Sequence, residues 1–159
     1  MRTPFENGHV FIWDIRQPKR QETFYDEGAV KGTVIRISQN GHYIACGSNT
    51  GIVNLYDSAD IVKNPCPKPV KVLDNLTTSI DGITFTGDSQ LLAIFSSVKR
   101  NAFRLVHVGS RSVYTNFPPR NANLGRVTVA DFSPHSGYMA VGDDTSFLSL
   151  FRLLHFDSY

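Results

Sequence analysis

The chain has 159 residues, with 16 lysine and arginine side chains against 14 aspartate and glutamate side chains and a formal net charge of +2. Such a small net charge excludes attraction of nucleic acid by the surface as a whole, so any basic binding site must be local. The length is sufficient for one hydrophobic core and predicts a single domain. The longest uninterrupted apolar run, Leu91 to Phe95, is far too short to cross a bilayer, so we expect no membrane association.

In chain order, the first predicted strands are HVFIWDI and QETFY. Three longer segments follow, and each contains a strand, a polar turn, a second strand, another turn and a third strand. These segments are GTVIRISQNGHYIACGSNTGIVNLYDS, DGITFTGDSQLLAIFSSVKRNAFRLVHV and RVTVADFSPHSGYMAVGDDTSFLSLFRL. The short strands KPVKVLD and RSVYTNF follow the first two segments as a fourth strand, in the way that QETFY follows HVFIWDI. For SADIVKN we expect a turn or two of helix.

The three segments are repeats of one structural unit. Their first strands end at Ile37, Phe85 and Phe132, which lie 48 and 47 residues apart. A four-stranded unit of about 40 to 50 residues, whose third strand ends in an aromatic residue and an aspartate, is typical of a propeller blade of the WD40 or kelch class.

The aromatic-aspartate pair is present twice, as Trp13-Asp14 and as Tyr56-Asp57. We predict these four residues as structural repeat positions. The matching places in the two later units hold Val106-His107 and Phe151-Arg152, which depart from the pattern.

The fold class predicted from this pattern is all-β, a partial WD40 β-propeller with a little over three four-stranded blades. Propellers close with about four to eight blades, so we interpret the chain as the C-terminal part of a longer, seven-bladed ring. We expect a single partial propeller domain over residues 1–159, with blades at 8–27, 31–73, 80–117 and 127–156. Both ends of such a fragment would leave an apolar sheet face or edge uncovered, which favours aggregation or capture by a partner.

Four ordered stretches carry a resemblance to a known family: ACGSNTGIVNLYD, NPCPKPVKVLDNLTTSI, FRLVHV with SVYTNFP, and DFSPHSGYMAVG with FRLLHF. From about Gly8 to its end, the chain resembles the C-terminal WD40 region of the U-three small nucleolar RNA-associated protein eighteen family. The resemblance implies a non-catalytic subunit of the small-subunit processome, the nucleolar particle in which small-subunit pre-ribosomal RNA is cleaved and folded. The implied location is the nucleus and nucleolus. The implied partners are other processome proteins, together with pre-ribosomal RNA or small nucleolar RNA.

The sequence departs from the family pattern where blades begin. Many WD40 blades carry a Gly-His dipeptide there, but this chain has Asp26-Glu27-Gly28 and Asp81-Gly82. The usual structural hydrogen bond between His and Asp is therefore not expected. The family's N-terminal extension, which recruits RNA-degradation machinery, has no counterpart in this sequence, so that role is not assigned to it.

No motif in the sequence supplies catalytic groups in a recognisable pattern. Asp131, Ser133 and His135 lie close together, but they fall at a strand end and its turn, and catalytic triads are recognised by geometry rather than by proximity in sequence. The five histidines and two cysteines show no paired spacing of metal ligands. We therefore predict no enzyme activity, no catalytic residue, no metal or other cofactor, and no small-molecule substrate.

Several basic residues fall in loops that a propeller places on one rim. Loops from fourth to first strands and loops from second to third strands emerge on the same side of the blades. Lys99 and Arg100 lie in a loop of the second kind, and Arg120 and Arg126 lie in a loop of the first kind. We predict these four cations as a candidate site for RNA or a partner, which would hold phosphates by charge without reading sequence. The acidic pair Asp143-Asp144 lies on the next turn, so we expect the positive patch to be local.

Other interpretations stay open at the level of the sequence. Exposed lysine and arginine side chains are often simply solvated. A propeller with an electropositive rim also suits a peptide- or phosphopeptide-reading adaptor in signalling or ubiquitin transfer. A third interpretation is a truncated product that folds poorly. The prolines of NPCPKPVK predict either a stiffened insertion or an extended ligand for a partner.

Overall fold

The computed structural model describes residues 8–17, 21–119 and 121–154. These residues form antiparallel strands and one short helix. The elements are, in chain order, β1 (His9–Trp13), β2 (Gln21–Tyr25), β3 (Gly32–Ile37), β4 (Tyr43–Ser48), β5 (Val53–Asp57), α1 (Ser58–Lys63), β6 (Lys71–Leu73), β7 (Gly82–Phe85), β8 (Leu91–Phe95), β9 (Phe103–His107), β10 (Ser112–Val113), β11 (Val127–Phe132), β12 (Tyr138–Asp143) and β13 (Leu148–Arg152). No helix in this part of the chain is both long and apolar enough to span a membrane.

Within the described residues the strands form four separate sheets, with the orders β1-β2, β3-β4-β5-β6, β7-β8-β9-β10 and β11-β12-β13. Each strand pairs antiparallel with the strand next to it in the sequence, so each sheet is a simple meander. The predicted all-β fold, with units of two, four, four and three strands, is confirmed.

Apolar side chains hold each sheet against the next. One buried cluster lies between the first and second sheets and includes Phe24 and Tyr56. Two further clusters lie between the second and third sheets and between the third and fourth sheets. The first strand of the third sheet, β7, contacts β3 on one side and β11 on the other. The sheets are therefore stacked side by side with their first strands adjacent, and the chain forms a partial WD40 β-propeller.

The burial of each strand follows from its place in this stack. All five residues of β8 are buried, because neighbouring sheets cover both faces of the third sheet. No sheet covers the outer face of the fourth sheet within the described residues, and Leu148 and Leu150 of β13 are accordingly 72% and 67% exposed. The continuous apolar run of β8 in the sequence therefore has a direct structural cause.

The aromatic repeat position at the end of each third strand faces the preceding sheet. Tyr56 and Val106 belong to the clusters that their sheets share with the sheet before, and Phe151 packs against the cluster between the third and fourth sheets. Trp13 occupies the same place on β1 but is 58% exposed, because no sheet precedes β1 in the described part of the chain.

The aspartates of the two aromatic-aspartate pairs act locally. Asp14 accepts the Arg16 backbone N–H at 2.9 Å and forms an ion pair with the Arg16 side chain at 3.5 Å. Asp57 accepts the Ala59 N–H at 2.8 Å and thereby caps the N-terminus of α1. Each carboxylate thus ends a third strand by bonding to the backbone two residues later.

The turn between first and second strands has the same construction in three units. Ser38, Thr86 and Ser133 occupy equivalent positions, and each side-chain oxygen accepts the backbone N–H five residues later, at 2.9, 2.9 and 3.0 Å respectively. The repeat is therefore preserved at the level of single hydrogen bonds. Three residues further on, each turn has a residue with positive φ: Gly41 (72°), Ser89 (63°) and Ser136 (61°).

Large and small residues face each other across the first two strands of each unit. In the second sheet Val34 pairs with Gly47, and the fourth sheet repeats this arrangement with its own valine and glycine. In the third sheet the sizes are reversed, since Gly82 on β7 pairs with Phe95 on β8. A Cβ atom added at Gly82 would overlap the Phe95 ring, so this position requires glycine.

A buried carboxylate ties the first unit to the second. Asp26, on the loop between β2 and β3, is 3% exposed, and its Oδ1 accepts hydrogen bonds from the Tyr56 hydroxyl at 2.6 Å and from Asn54 Nδ2 at 2.7 Å. The Tyr56 oxygen in turn accepts the Glu27 N–H at 3.2 Å. Burial raises the pKa of Asp26, and the two donated hydrogen bonds offset part of this rise. This network lies at Asp26-Glu27, where the sequence lacks the Gly-His dipeptide expected of a WD40 blade.

The proline-rich segment between α1 and β6 packs on the fold. The Pro65 carbonyl accepts the N–H of Tyr25, the last residue of β2, at 3.2 Å, and Pro67 is buried. The segment therefore covers part of the outer edge of β2, as a stiffened insertion would, and protects that edge from pairing with other strands.

We expect Gly82→Ala to destabilise the protein by about 1 to 3 kcal/mol, because the new methyl group overpacks the contact with Phe95. Urea unfolding followed by intrinsic fluorescence measures the change. Gly109→Ala is the control, since a Cβ at this exposed turn position would approach the His107 ring no closer than 3.3 Å, a contact that a shift of a few tenths of an ångström relieves. A midpoint for Gly82→Ala equal to that of the wild type would show that the Phe95 ring does not fill this space.

The substitution Asp26→Asn keeps an acceptor oxygen for Tyr56 and removes the charge. Because the pKa of Asp26 is raised in the folded state, the stability that its neutral form contributes is fully present below the unfolded pKa and is lost as the pH rises through the folded pKa. The free energy of unfolding of the wild type, relative to Asp26→Asn, should therefore fall as the pH rises from about 4.

Urea titrations of both proteins across this pH range measure that difference. Asp74→Asn, at an exposed aspartate on the loop between β6 and β7, is the matched control for the loss of one carboxylate. The measured quantity is the free energy of unfolding of the wild type minus that of Asp26→Asn. If this quantity rises with pH or stays constant, a buried carboxylate at this position is contradicted.

Candidate binding rim

Hydrogen bonds join the loops and turns along one edge of the stacked sheets. This edge, the rim, consists of the loops that connect each unit to the next and the turns between second and third strands. In the second sheet, the Asn49 N–H donates to the Lys31 carbonyl at 2.9 Å, and the Ile80 N–H donates to the Ser48 carbonyl at 3.1 Å. One turn is thereby tied to the loop before it and to the loop after it.

In the third sheet the Ser97 N–H donates to Asp81 Oδ2 at 2.7 Å and the Asn101 N–H donates to the Leu124 carbonyl at 3.2 Å, so its turn is also tied in both directions. In the fourth sheet the Asp144 N–H donates to the Arg126 carbonyl at 3.0 Å, which ties the turn to the loop before it.

Three of the predicted cations lie on neighbouring parts of this rim. Lys99 and Arg100 are exposed in the turn between β8 and β9, and Arg126 is exposed in the loop between β10 and β11. Asn101 joins the two segments, since its N–H donates to the Leu124 carbonyl at 3.2 Å and its side-chain oxygen accepts the Leu124 N–H at 2.9 Å. The structure therefore brings these three cations to one edge. The fourth predicted cation is Arg120, which lies outside the described residues.

No residue that the structure describes neutralises the charges of these three side chains. Within the described residues, Lys99, Arg100 and Arg126 form no ion pair and no side-chain hydrogen bond. Their ammonium and guanidinium groups are thus open to solvent and to a ligand. We refer to them together as the rim cations.

Two aspartates hold the loop that carries Arg126. Asp143 Oδ2 accepts the Gly125 N–H at 2.9 Å, and Asp144 Oδ1 accepts the Arg126 N–H at 2.9 Å. The Thr145 hydroxyl donates to Asp143 at 2.6 Å, and this bond is the largest of the causes that lower the pKa of Asp143 to about 2. Asp143 is therefore ionised at neutral pH, and its negative charge bounds the cationic patch on the side of the fourth sheet.

Each of the three rim turns uses a residue with positive φ at the same place. These residues are Gly51 (89°), Asn101 (56°) and Ser146 (65°). Glycine and asparagine accept this conformation readily, whereas serine does so at a steric cost. The turn that lacks glycine is held instead by Asp143 Oδ1, which accepts the N–H of Thr145 at 2.9 Å and of Phe147 at 3.2 Å. The structural roles of Asn101 and Asp143 were missed from the sequence, although an Asx residue at a turn was the available signal.

The side chains of Asp131 and Ser133, which lie close to His135 in the sequence, bond to the backbone of their own strand and turn. The Ser133 hydroxyl oxygen accepts the Tyr138 N–H at 3.0 Å, and Asp131 Oδ1 accepts the Phe132 N–H at 2.9 Å. Neither side chain is hydrogen-bonded to His135 in the described part of the chain. Among the same residues, no three His, Cys, Asp or Glu side chains lie close enough to bind one metal ion.

Comparison with known proteins identifies the relatives of the chain. No protein-family model matches it. Over 157 residues, covering 97% of its length, the chain is 45% identical to the U3 small nucleolar RNA-associated protein 18 homolog of Caenorhabditis elegans. The chain is a homologue of U3 small nucleolar RNA-associated protein 18. The Homo sapiens homolog of U3 small nucleolar RNA-associated protein 18 is 40% identical over 154 residues, which cover 96% of the chain.

The match lies in a C-terminal part of U3 small nucleolar RNA-associated protein 18. The chain spans 37% of the length of the Caenorhabditis elegans protein and 28% of the length of the Homo sapiens protein. The resemblance predicted from four stretches of sequence is therefore confirmed. A shorter match, 34% identical over 90 residues and 55% of the chain, is to the Protein LST8 homolog of Drosophila pseudoobscura pseudoobscura, and it supports the WD40 propeller fold.

Proposed function

We propose that this chain is part of a non-catalytic WD40 scaffold that acts in nucleolar processing of pre-ribosomal RNA and in biogenesis of the small ribosomal subunit. The homology to U3 small nucleolar RNA-associated protein 18 supports this function, since the name of those relatives associates them with a small nucleolar RNA. In this proposal the chain works in the nucleus and nucleolus. Its partners are other proteins of the small-subunit processome, with pre-ribosomal or small nucleolar RNA as a further ligand.

The observation that supports an RNA contact is the position of the rim cations. Lys99 and Arg100 sit on a turn that Asn101 ties to the loop of Arg126. Because hydrogen bonds already fix these segments, little backbone ordering would be lost when a phosphate binds to the side chains. Phosphate contacts of this kind release condensed counterions, and they position RNA without reading its sequence.

The proposed scaffold function requires no catalytic residue in this chain. Asp131 and Ser133, the groups in the sequence that most resembled catalytic residues, are engaged in hydrogen bonds to the backbone of their own strand and turn. We therefore propose that the chain contributes surfaces for assembly, and that other components of the particle carry out RNA cleavage.

The substitutions Lys99→Gln, Arg100→Gln and Arg126→Gln together remove three positive charges and leave the hydrogen bonds of Asn101 in place. Binding of the full-length protein to a fluorescently labelled single-stranded RNA, measured at several salt concentrations, tests the proposal. If all three cations contact phosphates, the slope of log affinity against log salt should become shallower by about 2, since each contact to a single strand contributes about 0.7.

A control variant with the same loss of charge is Lys63→Gln, Lys68→Gln and Lys71→Gln, at three exposed lysines in and around α1 and β6. We expect it to keep the wild-type slope. A rim variant whose affinity and slope equal those of the wild type would contradict RNA binding by the rim cations. The same proteins are titrated with a phosphoserine peptide, and a loss confined to that peptide would favour the adaptor function instead.

A further inference from the structure

An open cavity of about 450 Å³ lies along the inner strands of three successive sheets. Its walls come from β3, β7 and β11, the strands that stand next to one another in the stack. The polar part of its lining consists of Arg36, Asp81, Thr84, Thr128 and Asp131. This inner cavity is separate from the rim cations, none of which lines it.

Three of the lining residues occupy the same position in three repeats. In each unit, a serine or threonine oxygen closes the turn between the first and second strands. The lining residue lies two positions before that serine or threonine, and in the three units it is Arg36, Thr84 and Asp131. Each is paired with an alanine on the second strand, so small side chains stand beside all three. Those partners are Ala45, Ala93 and Ala140. The repeat therefore presents one cation, one hydroxyl and one carboxylate at one level of the inner wall.

The two carboxylates of the cavity are each held by one oxygen. Asp81 Oδ2 accepts the N–H of Ser97 at 2.7 Å and its hydroxyl at 2.6 Å. Asp131 Oδ1 accepts the Phe132 N–H at 2.9 Å and a longer bond from the Thr84 hydroxyl at 3.4 Å. Within the described residues, Asp81 Oδ1 and Asp131 Oδ2 have no hydrogen-bond partner. An ionised carboxylate can accept about four hydrogen bonds, so both groups are positioned to receive further donors.

Arg36 does not neutralise either carboxylate. In the described part of the chain it forms no ion pair and no side-chain hydrogen bond. The strand that carries Thr84, β7, contacts both β3 and β11 and therefore lies between Arg36 and Asp131. Among the described residues that line it, the cavity therefore carries two carboxylates against one guanidinium. This balance favours a cationic donor and disfavours phosphate, which distinguishes the inner cavity from the rim.

We propose that the inner cavity binds an arginine side chain of a partner polypeptide. A guanidinium group has five N–H donors in a planar array that suits carboxylate oxygens, and it is always charged. The apolar part of the lining, which includes Val34, Ile83 and the ring of Phe95, matches the aliphatic stem of an arginine. Asp81 and Asp131 supply the acceptors, and Arg36 pairs with an acidic residue or a carbonyl group next to the arginine in the partner.

The test uses two fluorescein-labelled peptides, Gly-Ser-Gly-Arg-Gly-Ser-Gly and the same peptide with citrulline in place of arginine. Citrulline has the size of arginine without its charge. Fluorescence anisotropy with the full-length protein should show that the arginine peptide binds more tightly by about tenfold or more, as expected for hydrogen bonds between charged groups. Equal binding of the two peptides would overturn the proposal.

Asp81→Asn and Asp131→Asn should each weaken binding of the arginine peptide by about tenfold. Asp74→Asn is the matched control, because this exposed aspartate does not line the cavity, and it should bind as the wild type does. A similar loss in all three variants would indicate general charge attraction and would overturn the proposal. The rim variant, with Lys99, Arg100 and Arg126 replaced, should bind the peptide normally, so failure at the rim and failure in the cavity are distinguishable.

Thr84→Arg provides an independent check, because it places a guanidinium in the cavity from the wall of the protein itself. We expect this variant to block the arginine peptide while retaining the thermal unfolding midpoint of the wild type. Wild-type peptide binding by Thr84→Arg would contradict the proposed site. The same conclusion would follow if Asp81→Asn and Asp131→Asn unfolded at the wild-type temperature and bound the arginine peptide unchanged.

Discussion

Burial of each sheet face against the next sheet is the interaction on which the structure depends. A sheet such as β7 to β10 carries apolar residues on both faces, so it needs a neighbour on each side to remove them from water. The resulting stack places first strands beside first strands and aligns the turns along one rim. The hydrogen bonds of the rim and the lining of the inner cavity both follow from that alignment. Where a neighbour is missing within the described residues, at Trp13 and at Leu150, large apolar side chains are exposed.

Much of the fold was predictable because the chain repeats its pattern. The spacing of apolar runs, and turn residues that accept positive φ, gave the order and number of strands. The contacts between distant residues were not predictable in this way. Asp26 accepts a hydrogen bond from Tyr56, thirty residues later, and Gly82 is required because the Phe95 ring fills the space opposite. In the sequence Asn101 has only the features of a turn residue, and its hydrogen bond to Leu124 becomes evident only in the folded structure. Each of these depends on how elements pack, which a local pattern does not encode.

The rim and the inner cavity offer opposite charges on one propeller fold. The rim cations could be assigned to one edge from the sequence, because the type of loop fixes the side of a propeller on which it emerges. The carboxylates of the inner wall could not, since Asp81 and Asp131 lie far apart in the sequence and line one cavity only through the stacking of β7 against β11. In the two proposals made above, RNA phosphate binds at the rim and an arginine of a partner binds in the cavity, so the two ligands would occupy separate places.

Native-state amide hydrogen exchange of this 159-residue chain tests the central role of sheet stacking most directly. If burial on both faces stabilises the structure, the amides of β8 and β9 should exchange most slowly, and those of β1 and β13 should exchange much faster. Fast exchange throughout the chain, or protection strongest in β1 or β13, would contradict the stacked arrangement and the sites that depend on it.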